Sequence, residues 1–303
     1  MYRRDAAGDR RGSRVPGPFV VWDSLLPDAV EIVLIGETTV RLLCFAGVFA
    51  AMAVWEAVAP LRQDIPGRVR RWPGNLGIVA VDSIVSRLIV PMSATGVAAM
   101  AQRQGFGLFN IWPMPEWIAL VASVILLDLA IYAQHVGFHA MPSLWRLHRM
   151  HHADTGYDVT TGLRFHPGEI LLSIAIKFAA ISLLGAPAPA VLVFEVLLNA
   201  TSMFNHGNVT LPAALDRWLR LVLVTPDMHR VHHSVVPSET DSNFGFNLPW
   251  WDRLFGTYRA RPSRGHLGMT IGLDLFRDLR EQRLDRMLSQ PFRGRSRRGG
   301  LAR

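Results

Sequence analysis

The stretch Val40–Ala59 constrains this chain most: it is about 20 largely apolar residues, roughly 30 Å long as a helix, which matches the hydrocarbon core of a bilayer. Lipid offers the backbone no hydrogen-bond partner, so such a stretch folds as a helix or not at all. A weaker second span, Gly77–Ala101, contains Asp82 and Arg87 and is expected to kink at Pro91. Trp117–Gln134 is a third. Ile170–Leu184 and Pro189–Phe204 are shorter and are separated by Gly185-Ala186-Pro187-Ala188-Pro189, a helix-breaking turn that predicts a helical hairpin. Together these predict an all-α integral membrane protein of four to five transmembrane or re-entrant helices, and a composition of 50% hydrophobic and 18% charged residues is compatible with that class.

Arginine is retained on the cytoplasmic side of a membrane, and this orients the spans. The loop after the first span holds Arg62, Arg68, Arg70 and Arg71, the loop after the second only Arg103, and the hairpin turn carries no charge. The first and third spans are therefore expected to end in the cytoplasm, in a bacterial inner membrane. Arg3, Arg4, Arg10, Arg11 and Arg14 run against this assignment, but they lie far from the first span. A hairpin returns the chain to the side it left, so every histidine from His135 to His233 is expected on the cytoplasmic side, in a helical cap, with Leu211–Val224 lying at the interface. The predicted division is a polar tail and interfacial segment at 1–38, a membrane domain at 39–262 and a basic tail at 263–303. The net charge of +8 comes from loop and tail arginines without aromatic interleaving, which suits lipid headgroups and excludes nucleic acid as the expected partner.

Ten of the 11 histidines fall between residues 135 and 233. They form His135-x3-His139, His148-x2-His151-His152 and His229-x2-His232-His233, with single His166 and His206 between them. Residues three and four apart share a helix face, so each group can aim two or three imidazoles at one point. With Cys44 the only cysteine, metal chemistry here would run on histidine and carboxylate. Eight to ten imidazoles exceed what one first-row ion accepts, so two ions are expected. Iron can activate O2 for attack on an unactivated C–H bond, which redox-inert zinc cannot. Ligating histidines usually donate their second N–H to a carboxylate or carbonyl. Asp128, two helical turns before His135, is a candidate for that role, as are Glu195 and Asn199 in the polar stripe Glu195, Asn199, Ser202, His206. Lys177, the only lysine, is a candidate partner for Glu195 across the hairpin.

The ordered set of HxxxH, HxxHH, Leu163-Arg164-Phe165-His166-Pro167, Asn205-His206-Gly207-Asn208 and Thr225-Pro226-Asp227-Met228-His229-Arg230-Val231-His232-His233 resembles the fatty acid hydroxylase/sterol desaturase superfamily. The segments Asp241-Ser242-Asn243-Phe244-Gly245 and Trp251-Asp252-Arg253-Leu254-Phe255-Gly256-Thr257 fit that family's usual ending. The resemblance spans roughly residues 40–260. It implies a non-haem di-iron membrane oxidoreductase with O2 as co-substrate, hydroxylating or desaturating a C–H bond of a fatty acyl, sterol or related lipid. It supports the eight boxed histidines as ligands, and His166 and His206 less directly. No haem domain, flavin fingerprint or cysteine cluster is evident, so an external electron donor is implied: ferredoxin, rubredoxin or a cytochrome b5-like protein with its reductase. Arg146, Arg149, Arg164 and Arg230, interleaved with the boxes, are a candidate docking patch for an acidic carrier. The alternatives are a zinc-dependent membrane hydrolase, which normally needs three ligands and a carboxylate, and a His-rich metal-binding or transport protein, whose histidines would line a path across the bilayer.

Overall fold

The computed structural model describes residues 27–63 and 67–294. Residues 1–26, including the tail arginines, and Arg295, Arg297 and Arg298 lie outside the described residues. The described part is helical, with two isolated β-bridges, Pro60 with Val209 and Ser234 with Ile271, and no strand. The chain divides into two compact units at Leu42. In the first, Glu37 and Arg41 pair at 2.6 Å one turn apart on α1, which runs Pro27–Val58.

In the second unit, the expected second span is made of two helices, α2 (Arg68–Ile89) and α3 (Ala94–Arg103). Pro91 breaks the helix here instead of kinking it: the chain is extended at Val90, and Ser93 restarts the helix by accepting Gly96 N–H at 3.0 Å. A short α4 (Leu108–Ile111) follows. The third span extends to α5 (Glu116–Ala140), carrying His135 and His139 on its last turns. The hairpin is α7 (Pro167–Leu184) and α8 (Ala188–Asn205), with Gly185 in the left-handed region (φ 64°) closing the first helix. Among the described residues, five helical stretches are long and apolar enough to cross a membrane: Gly36–Val58, Arg68–Ile111, Glu116–Ala140, Pro167–Leu184 and Ala188–Asn205. The chain is an integral membrane protein.

Around the ends of α5, α7 and α8 lies a cap of short helices: α6 (Pro142–His152), α9 (Ala213–Leu219), α10 (Pro226–His232), α11 (Pro237–Thr240), α12 (Trp250–Leu254), α13 (Gly265–Gly268) and α14 (Leu284–Ser289). Its loops are irregular and buried, so their polar groups must be satisfied internally. Arg71 of α2 pairs with Asp154 and Asp158, while Arg164 donates to Met150 O, Asn75 and Gln282. Glu56 of α1 accepts the N–H groups of Val159 (2.7 Å) and Asn208 (2.9 Å). These bonds tie the 153–164 loop to the first two helices.

The segment expected to be a basic tail from 263 is packed structure through residue 294. Met287 joins Ile78 and Met150 in one apolar cluster, and Arg149 and Arg146 donate to main-chain oxygens of Gln290 and Pro291. This overturns the arginine docking patch as well, since Arg149, Arg164 and Arg230 are all buried and bonded internally. Guanidiniums interleaved with the histidine boxes serve here to satisfy buried carbonyls and carboxylates.

Candidate metal centre

Nine of the ten expected histidines converge in two buried groups: His135, His139, His148, His152 and His232 in one, His151, His206, His229 and His233 in the other. Within each HxxHH box the histidines four apart stay together and the third turns to the other group. On α6, His148 and His152 are four apart and turn to the first group, while His151 points to the second; at the third box His229 and His233 turn to the second group and His232 to the first. Each HxxHH box therefore serves both groups, instead of aiming all its rings at one point. His206 reaches its group from the C-cap of α8.

Five of the nine rings have an outward contact at Nδ1. His135 donates to Phe244 O (2.7 Å), His148 to Glu169 Oε1 (2.6 Å), His232 to Ser242 O (2.8 Å) and His206 to Ser202 O (2.7 Å); His139 Nδ1 faces Asp241 Oδ1 at 3.2 Å. These contacts assign the proton to Nδ1 and leave an inward lone pair on Nε2. Burial pushes His148 and His206 down to about 3, and it holds His151, His152, His229, His232 and His233 well below the usual imidazole range. Neutral imidazoles with inward lone pairs are the form that binds a cation.

The inward nitrogens fit an ion better than they fit one another. His135 Nε2 lies 3.1 Å from His148 Nε2, so two lone pairs face across a hydrogen-bond distance with no proton to share. His206 Nε2 lies 3.2 Å from those of His151 and His229 and 3.1 Å from that of His233, and only one of the three can donate to it. Nitrogens about 2.1 Å from a common ion and at right angles to one another are separated by about 3 Å. Such separations are expected of two all-imidazole ion sites, and iron, zinc or copper matches this donor type.

His166 is set apart from both groups. It is the N-cap of α7, its Nδ1 accepting Gly168 N–H at 3.0 Å and its Nε2 facing Leu288 O at 3.3 Å. Pro167 at the first helical position makes this a helix start first and foremost. Asp128 is buried but acts at one remove from the rings: it accepts Trp251 Nε1–H (2.9 Å) and the N–H groups of Leu248 (3.1 Å) and Asn247 (3.3 Å), fixing the loop whose Phe244 carbonyl holds His135. Glu195 pairs with Lys177 as the polarity pattern suggested, joining α7 to α8, while Asn199 donates to Glu195 O within α8. The carboxylates that do meet histidines, Glu169 and Asp241, were missed. Glu169 falls at the mouth of an apolar span, where a buried acid requires a partner, and that signal was available.

Apolar aromatic residues flank the rings. Phe165 stacks on His151 with centroids 4.6 Å apart, and Phe246 lies 5.2 Å from His135 and 5.8 Å from His229. Both pack against the bundle interior of Val97, Leu127, Ile131, Ile181 and Phe194.

Residues 120–257 match the family model for fatty acid hydroxylase. The chain is 35% identical over 161 residues to ornithine lipid hydroxylase of Rhizobium tropici, a match covering 52% of this chain and 47% of that one. It is 28% identical over 181 residues to human alkylglycerol monooxygenase, covering 59% and 39% of the two chains. It is 25% identical over 158 residues to rat cholesterol 25-hydroxylase, covering 49% and 50%. The chain thus spans half or less of the length of these relatives. No solved structure matches it.

Proposed function

We propose that this chain, whose residues 120–257 match the fatty acid hydroxylase family model, is an O2-dependent di-iron hydroxylase of a membrane lipid in the fatty acid hydroxylase/sterol desaturase superfamily. The observation that carries this reading is the pair of buried all-histidine groups, with five and four members, at the membrane end of the cap. His135, His139, His148, His152 and His232 would hold one iron, and His151, His206, His229 and His233 the other. When bound, the irons would supply O2 activation and the oxidising power to break a C–H bond.

The protein's own residues supply access, dryness and orientation. Phe165 and Phe246 present an apolar surface to both groups, continuous with the bundle interior, so a hydrocarbon arriving from the bilayer meets the rings on this side. Arg164, Arg149 and Arg230 are buried and satisfy main-chain carbonyls around the groups. The relatives are named for lipids with long or fused hydrocarbon parts, which supports a substrate of that class. They are named hydroxylases and monooxygenases, which favours oxygen insertion over desaturation. The balance is R–H + O2 + two electrons + two protons giving R–OH + H2O, so the reaction needs an electron donor, for which a ferredoxin, rubredoxin or cytochrome b5-like protein is the class proposed. Loop arginines support a cytoplasm-facing cap in a bacterial inner membrane.

The test is iron content together with O2 uptake by the purified protein in lipid nanodiscs. Two irons per chain and O2 consumption that needs both reductant and lipid are expected. Zinc in their place with full turnover under argon would overturn the reading.

A further inference from the structure

The two histidine groups differ in how their rings are held. In the five-histidine group, four rings have an outward partner for Nδ1: Phe244 O, Asp241, Glu169 and Ser242 O. Three of these come from one loop, Asp241–Phe244. That loop is itself fixed: Asp252 accepts the N–H groups of Phe244 (2.8 Å) and Gly245 (2.9 Å), and Asn243 donates to Met228 O and Arg259 O at 2.8 Å each. In the four-histidine group only His206 has such a partner, the Ser202 carbonyl of its own helix. His151, His229 and His233 have Nδ1 atoms that are buried and meet no hydrogen-bond partner among the described residues.

An outward partner fixes the tautomer and rotation of a ligating ring and raises its basicity, and removing one typically costs about 10- to 100-fold in metal affinity. From this asymmetry, and resting on the two-ion reading above, we propose that the groups are unequal metal sites: the five-histidine site fills first and retains its ion, whereas the four-histidine site exchanges. Asp241 and Glu169 are positioning residues that act through His139 and His148 on the retained ion alone.

The experiment uses the full chain in detergent, loaded anaerobically with Fe(II), and follows iron release to a chromophoric ferrous chelator. Two phases of equal amplitude are expected, separated at least 10-fold in rate. Asp241→Ala is expected to speed the slow phase about 10-fold or more and to leave the fast phase unchanged, while Asp241→Asn, which keeps an acceptor oxygen, restores the slow phase. Glu169→Ala and Glu169→Gln provide the same comparison from a different helix, should Asp241→Ala fail to fold. Loss of both ions at one rate, or equal acceleration of both phases by Asp241→Ala, would overturn the inequality while sparing the two-ion reading. A wild-type chain that takes up fewer than two ions overturns both.

Discussion

The ring of His206 lies at the centre of its group, with three Nε2 atoms within 3.2 Å of its own. His206→Ala is therefore expected to lower bound iron from two per chain to about one, measured by elemental analysis of the purified protein. His166→Ala is expected to leave two irons in place and to cost about 1 kcal/mol through loss of the α7 N-cap, measured as a fall in unfolding free energy. Equal iron loss in the two variants would contradict the separation of their roles. In sequence the two residues look alike, each a single histidine between boxes. What distinguishes them is which element ends there: His166 opens a helix before Pro167, and His206 closes one. The boxed histidines were legible because spacing of three and four fixes a shared face. Their division into two groups was not, because it depends on how α6 and α10 rotate against α5. The arginines beside them were misread for a related reason: a charge flanking a ligand looks exposed in sequence, yet the cap buries it among carbonyls.

At the scale of elements, the 241–249 loop is the most demanding piece, since it must place its carbonyls without a strand or helix to align them. Asn243 adopts φ 52° there, and two carboxylates, Asp128 and Asp252, collect its N–H groups. Asp128→Ala leaves two main-chain N–H groups and an indole N–H buried without their acceptor. It is expected to destabilise the protein by about 3 kcal/mol or more. A detergent unfolding titration checks this, and a change below about 1 kcal/mol would mean the loop is held by other bonds. The close approach of the α3–α4 connection to the hairpin gives a second check. A Cβ on Gly107, which has φ 100°, would stand 2.3 Å from Gly185 N, so Gly107→Ala is expected to lower the melting temperature measurably. The long elements were legible because hydropathy and length specify a span and Gly-Ala-Pro-Ala-Pro specifies its turn. The packed segment through residue 294 was not, since its anchors to the core are the scattered Met269, Ile271 and Met287, the Gln282 side chain and a set of backbone acceptors, which leave no periodic trace.

At the scale of the whole molecule, concentrating neutral histidines in one buried cap couples stability to pH and to metal. Seven of them outside the spans have folded-state pKa values depressed by burial, two of them to about 3, against about 6.5 in an unfolded chain. Below about pH 6.5 the unfolded state binds protons that the folded state refuses, so stability falls as pH falls, by up to about 1.4 kcal/mol per pH unit for each such group. Several groups acting together remove about as much free energy as a whole domain possesses within roughly one pH unit. The metal-stripped protein is therefore expected to lose its cap cooperatively between about pH 6.5 and 5, followed by tryptophan fluorescence and near-UV circular dichroism. Bound ions add stability to the folded state in proportion to their affinity, so the loaded protein is expected to hold its signal to a lower pH. Stripped protein that keeps the same near-UV spectrum at pH 5 as at pH 7.5 would show that the imidazoles accept protons in place, and the lone pairs that face one another across 3.1 Å would then need another explanation.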